Sequence, residues 1–504
     1  MLQYLLVGLL LIAGYERAPQ PEIDPYASAA LVAFGLLLVG VAAEGAAALL
    51  TRRIWYDRGR RRLQVRWYHR IRRLHLLLAV AVFLATLYIA DWDVVVREVW
   101  GLKRFPLVSM FLLILPFLLA LFAGWASFYR VEMALHQTAS SALLPPPFWS
   151  RGQFVLFQAR QNLGLVLAAA LIFFALQEAT TRLLPNLPED SWQHLLAHGI
   201  GALLVVVLLP WLLVVIWPTR SLAPGPLRNQ LDTVAKRLGF SCTDIRVWDT
   251  GGCTANALVV GLFWAPRYVL LSDLLIEALP PEEIEAVFGH EVAHVRLRHV
   301  PLYMIFLMLG MLFLGIANQP VAEWLQPHWN WTLNIPFAGA LAFGQWAPHL
   351  AALALPGALL LLAFGGLSRT CERQADVFGC KSVRTPPSIA TQVATVSQNG
   401  AGHFRIATHA LEAPTPGNLQ PHGIRVFIST LQRVAAINGM DPHRPDWRHG
   451  SIASRVRFLE SLLMDPQAEP RFQRQALFLK LGLLLTLAGL IGLLWWLTGG
   501  ISLT

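Results

Sequence analysis

The chain has 504 residues, of which 55% are hydrophobic and only 14% charged, with a formal net charge of +10. A soluble globular domain carries about 25% charged residues. A wholly soluble fold is therefore excluded, and the composition is that of a multi-span membrane protein with enough polar sequence for one soluble or half-embedded domain.

Nine hydrophobic segments run in order over roughly 2–14, 28–50, 74–90, 107–128, 163–177, 195–217, 300–316, 351–367 and 476–498. A span needs about 17–25 apolar residues. The first segment is short, lacks basic residues ahead of it and has no clear cleavage site, so it is expected to be an uncleaved anchor. With the N-terminus inside, 34 of the 40 Lys and Arg fall in loops on one side and 5 on the other. The positive-inside rule places that rich side in the cytoplasm. The charge is thus a topology signal. The ten arginines between Arg52 and Arg73 are read as lying against anionic lipid head groups, not nucleic acid, because no binding module surrounds them. Arginine outnumbers lysine heavily, which fits a GC-rich bacterial genome and a bacterial plasma membrane. Four cysteines, Cys242, Cys253, Cys371 and Cys380, fall on the cytoplasmic side without CxxC spacing and are expected to be free thiols.

After Pro218, a helix is expected from Pro226 to Phe240, with Leu227, Leu231, Val234 and Leu238 on one face. Strands are expected at Asp244–Trp248, Ala255–Leu262 and Arg267–Leu271, forming a small antiparallel sheet. Residues 281–299 then read PEEIEAVFGHEVAHVRLRH, expected as one helix. Proline at its start and Glu282 and Glu283 in its first turn suit a helix N-terminus. His290 and His294 stand four residues apart and share a face, so both imidazoles can reach one metal, and Glu291 can serve as general base. Residues 317–350 are expected as an outside loop.

Two spans separate His294 from Ser368-Arg369-Thr370-Cys371-Glu372-Arg373-Gln374-Ala375-Asp376. An even number returns the chain to the same face, so Glu372 can supply the third ligand. If this stretch is helical, Asp376 shares the face of Glu372 and can hold a ligand histidine from behind.

At this point the chain resembles the M48 family of membrane zinc metalloproteases. The likeness rests on Asn256-Ala257 with Gly261, on Glu283 through His294, on Ser368-Arg369 with Glu372 and Ala375-Asp376, and on His449-Gly450-Ser451 with Arg455. The last departs from the family pattern, since Gly450 stands where a proline is usual. The resemblance implies one Zn2+ per chain held by His290, His294 and Glu372. It also implies that His449 and Arg455 stabilise the developing oxyanion and that Asn256 and Ala257 lie on a substrate-pairing edge strand.

The expectation is a mainly α, polytopic membrane protein with a zincin-like α+β metalloprotease domain split by a transmembrane hairpin. It divides into a multi-span region 1–217, catalytic parts 218–299 and 368–475, the hairpin 300–367 and a last segment 476–504. The expected partners are a polypeptide substrate, membrane-associated or misfolded, and membrane lipids. The alternatives are a CAAX prenyl-peptide processing protease, or a protease-like sensor with one dedicated substrate.

Overall fold

The structure, a computed structural model, describes residues 24–57, 59, 61–139, 148–183, 191–261, 266–326, 343–383, 419–465 and 467–497. Its contacts divide into two compact units, one up to Pro218 and one beginning at Thr219. Among the described residues, eight helices are long and apolar enough to cross a membrane, and they coincide with eight of the nine hydrophobic segments. The remaining segment, 2–14, lies outside the described residues. This is an integral membrane protein.

The first unit contains α1 (Pro25–Tyr56), α2 (Arg61–Tyr88), α3 (Pro106–Ala139), α4 (Arg151–Ala159), α5 (Leu165–Leu183) and α6 (Trp192–Ile216). A π-turn at Arg160–Gly164 joins α4 to α5 into one long apolar stretch. Val39, Phe83, Leu113 and Phe117 bring α1, α2 and α3 into one core. Polar groups within these helices pair with one another, as intramembrane charges must. Glu44 meets Arg130, and Tyr68 donates to Glu132 Oε1 at 2.6 Å.

The second unit opens with β1 (Thr219–Ser221), α7 (Pro226–Arg237), β2 (Asp244–Trp248), β3 (Ala257–Val260) and β4 (Tyr268–Ser272). The four strands lie in the order β1-β2-β4-β3. The sheet is mixed rather than antiparallel: β2 and β4 run parallel, and β1, too short to mark itself in the sequence, adds an antiparallel edge. The edge strand β3 is also shorter than the expected 255–262. Leu231, Ile245, Val269 and Leu271 form the layer between α7 and the sheet, and Ile284, Phe288 and Val292 join it from α9 (Pro281–Arg296).

Between the sheet and α9 sits a short helix, α8 (Asp273–Ala278), capped by the Ser272 hydroxyl. The helix α9 ends at Arg296, three residues short of the expected end, because Arg298 adopts a left-handed conformation at φ +55°. A new helix, α10 (His299–Leu325), starts from that corner. It continues nine residues past the expected 316, so the loop predicted for 317–350 is shorter at both ends, its interior 327–342 lying outside the described residues.

The returning helix α11 (Phe343–Ser382) is 40 residues long and runs unbroken from the hydrophobic segment through Glu372 and Asp376. It is followed by α12 (Pro421–Ile437), α13 (Ile452–Met464) and α14 (Ala468–Leu497). Ala286, Val377, Ile424, Phe427, Leu431 and Leu459 form a second core. The helix α9 is therefore buried on two sides, by the sheet and by α11 and α12.

Candidate metal centre

Small residues let α9, α11 and α12 approach closely. A Cβ at Gly379 would lie 2.9 Å from the Ala286 carbonyl oxygen and 2.6 Å from Phe427 Cε2. A Cβ at Gly289 would overlap Ser382, and one at Gly423 would overlap the backbone of Cys380. Two acids of α9 tie down its surroundings. Glu283 accepts from Ser429 Oγ at 2.8 Å and pairs with Arg433 at 3.0 Å. Glu285 pairs with Arg237 at 2.6 Å.

This seam brings three donors together. His290 Nε2 and His294 Nε2 are 3.4 Å apart. Glu372 Oε2 lies 3.6 Å from His290 Nε2, and its Oε1 lies 3.7 Å from His294 Nε2. Tetrahedral zinc with ligands at about 2.0–2.1 Å needs donor atoms about 3.3–3.4 Å apart. The histidine–histidine edge matches that and the two edges to the carboxylate exceed it by a few tenths of an ångström, and two imidazoles with one carboxylate leave a fourth position open. The residues fit a catalytic zinc. Among the described residues, no other group of three His, Cys, Asp or Glu donors is close enough to share an ion.

Behind the donors, Asp376 Oδ1 lies 3.1 Å from His290 Nδ1. The contact is close but poorly aligned as a hydrogen bond. The Arg455 guanidinium closes on both carboxylate oxygens of Asp376, with Nε to Oδ2 at 2.8 Å, while its Nη1 stands 4.0 Å from Glu372. The structure thus turns Nε and Nη2 of Arg455 onto Asp376 and leaves Nη1 toward Glu372. Burial opposes charge on His290, but Asp376 and Glu372 outweigh it and lift its pKa to about 10. Burial pulls His294 down to about 4, helped by the charge of His290.

Glu291 is adjacent to His290 and lies beside these donors. Burial pushes its carboxyl up to about 7; His290 opposes the shift and Glu372 adds to it. Its Oε2 accepts from the Val259 N–H at 3.3 Å. That contact defines the open edge of β3. Ser272 N–H donates to the Asn256 carbonyl at 2.9 Å, so by antiparallel alternation Ala257 and Val259 turn their backbone groups away from β4. The Asn256 side chain accepts from the Ala257 N–H at 3.0 Å, and the Ala257 side chain is buried. Asn256 thus sets the start of the strand, and Val259, which the sequence did not single out, carries the exposed edge beside the site.

His449 reaches the centre from a tight loop: its Nδ1 is 3.1 Å from Glu372 Oε2. Asp446 Oδ1 accepts from the backbone N–H of Arg448 and His449, each at 2.9 Å. Gly450 sits at φ +75°. Proline is locked near φ −65° and could not close this loop, which accounts for glycine at that position. Arg369 Nη1 donates to the Trp447 carbonyl at 2.7 Å and fastens the loop to α11. The role of Arg369 was hidden because its partner lies 78 residues away. Asn438 was hidden likewise: its amide makes two hydrogen bonds with the backbone of Ala255, at 3.0 and 2.9 Å, and pins the approach to β3.

Residues 223–443 match the model of Peptidase family M48. The protease HtpX homolog of Pyrobaculum islandicum is 29% identical over 181 residues, 34% of this chain and 50% of that protein. CAAX prenyl protease 1 of Saccharomyces cerevisiae is 31% identical over 90 residues, 18% of this chain and 20% of that protein. The crystal structure of Ste24p from S. mikatae aligns with a TM-score of 0.40 at 15% identity, covering 87% of this chain and 99% of that one. The chain spans about half the length of the HtpX homologues it matches. The match to the M48 model and the order of the motifs agree over residues 223–443 of this integral membrane protein.

Proposed function

We propose that this chain is a membrane-embedded zinc endopeptidase, with His290, His294 and Glu372 holding one Zn2+ and Glu291 acting as general base. The observation that carries the reading is the set of three donor groups with nitrogen and oxygen atoms 3.4–3.7 Å apart, with a half-buried glutamate beside them. A zinc ion bound there supplies Lewis acidity, polarising the scissile carbonyl and making a water nucleophilic near neutral pH. Glu291 takes that water's proton and passes it to the leaving amine. A base poised near the working pH is suited to both transfers. An extended peptide adds to the open edge of β3, where the backbone of Ala257 and Val259 fixes its direction. His449, at the mouth of the site, donates to the developing oxyanion. Arg455 acts from behind, by holding Asp376 against His290.

The substrates proposed are membrane-associated or misfolded polypeptides. Catalytic parts 218–299 and 368–475 flank the hairpin 300–367. The excess of Lys and Arg in the loops that carry the site supports a cytoplasmic active site in a bacterial plasma membrane. The name of the yeast relative supports a second reading, processing of prenylated CAAX peptides. Matched peptides with and without the prenyl group separate the two.

The test is zinc content together with mass-spectrometric mapping of cuts in an unfolded-protein mixture, wild type against Glu291→Gln. Zinc in both proteins and cuts in wild type alone are expected. Equal cleavage by Glu291→Gln would remove Glu291 from the mechanism.

A further inference from the structure

The two ligand histidines have different backing. His290 has a carboxylate behind its Nδ1. His294 has another histidine: its Nδ1 lies 3.2 Å from His299 Nδ1, with the rings 5.1 Å apart and near perpendicular. His299 has no exposed surface, and its Nε2 is a buried polar atom without a hydrogen-bond partner among the described residues. The chain reaches this arrangement through the left-handed Arg298, a conformation that costs a non-glycine residue about 1–2 kcal/mol. That corner ends α9 and swings the next residue back beneath the ligand.

We propose that His299 is a positioning residue that fixes the tautomer and ring angle of His294. A neutral imidazole that gives the Nε2 lone pair to a metal must carry its proton on Nδ1. The Nδ1–H of His294 then donates to the bare Nδ1 of His299, which requires the His299 proton on Nε2. The pair has one consistent proton arrangement, and it holds Nε2 of His294 toward His290 and Glu372. The inference rests on the metal-ligand reading given under the proposed function. Metal content of the wild-type protein tests that reading separately.

The experiment measures the zinc dissociation constant of the detergent-solubilised full chain by chelator competition. His299→Phe keeps a ring and removes the acceptor; His299→Asn places an amide oxygen near the Nδ1 position. Outer partners of metal-bound histidines typically contribute 10- to 100-fold in metal affinity. The expected result is that His299→Phe weakens zinc about 10- to 100-fold, while His299→Asn stays within about threefold of wild type. Wild-type affinity in His299→Phe, or equal weakening in both variants, would overturn the proposal. Should His299→Phe fail to fold, ring 15N shifts of the zinc-loaded wild type decide it. A protonated Nδ1 on His294 facing an unprotonated Nδ1 on His299 is expected, and a protonated Nδ1 on His299 would overturn it. Absence of zinc from the wild type would sink the parent reading and this inference together.

Discussion

Replacing Gly379 with alanine tests whether the close seam between α9, α11 and α12 is what assembles the metal centre. The new Cβ would stand 2.6 Å from Phe427 Cε2 and 2.9 Å from the Ala286 carbonyl oxygen. Carbon atoms settle at about 3.5–4.0 Å, so the Phe427 ring must retreat by roughly 1 Å and the α9 backbone by a few tenths. That ring stacks on His290, with centroids 5.8 Å apart, so its displacement is transmitted to one of the proposed ligands. Overpacking costs about 1–3 kcal/mol. A clash with a backbone carbonyl, which cannot swing aside, belongs at the upper end. Alanine regains about 1 kcal/mol of helix propensity over glycine, leaving a net cost near 2 kcal/mol. At about 1.4 kcal/mol per decade, the zinc dissociation constant rises up to roughly 30-fold, with any remainder appearing as a lower Tm of the metal-free protein. Chelator competition and thermal unfolding in detergent read the two parts, and Phe427→Leu in the same background is expected to recover most of the loss. A variant that binds zinc within threefold of wild type and melts at the same temperature would refute the seam argument.

Three further outcomes follow from the site. The folded-state pKa of Glu291 is raised to about 7 from an ordinary 4.5, so the folded metal-free protein favours the protonated acid. The resulting stability is complete below pH 4.5 and is lost as pH rises through 7. Glu291→Gln therefore raises the metal-free Tm at pH 8 by the equivalent of about 2 kcal/mol, after allowance for partial exposure, and leaves it unchanged at pH 4; equal shifts at both pH values would contradict the burial argument. Asp376→Asn leaves Arg455 buried without its carboxylate and is expected to cost about 3–5 kcal/mol in chemical unfolding. Adding Arg455→Met should return more than a quarter of that loss, and no recovery would mean the pair is not what holds this layer. Gly450→Ala meets φ +75° and costs about 1–2 kcal/mol locally. It should lower kcat/KM about tenfold, on the scale of a displaced active-site donor, with zinc affinity kept; undiminished turnover would show that the His449 loop need not hold this shape.

The parts of the centre legible in the sequence were those set by local geometry or by parity. His290, Glu291 and His294 follow from helix spacing, and Glu372 from the even number of spans that restores its side. What stayed hidden depended on distant partners. Nothing local distinguishes Gly379 or Gly289 from other helical glycines until the facing helix is in place. The corner at Arg298 carries neither glycine nor proline, so the helix read as continuous to 299 and His299 passed as its last residue. The parallel pairing of β2 and β4 comes from the order in which strands meet, which residue alternation does not record. Gly450 was visible as a departure, and its reason became clear only with its backbone angle.

The unbroken helix α11 has a mechanical consequence. Forty residues at about 1.5 Å each make a rod near 60 Å long. Its apolar stretch answers to the thickness of the bilayer, and its polar end carries Glu372 and Asp376. Within the described residues the helix has no break between the two, so lipid-driven tilt or vertical displacement is delivered to the glutamate side of the centre. The histidines ride on α9, which the close seam at Gly379, Gly289 and Ser382 fastens to that rod. A change of bilayer thickness is thus expected to reach the carboxylate and the imidazoles together, as a load on one packed seam and not as a change in their separation.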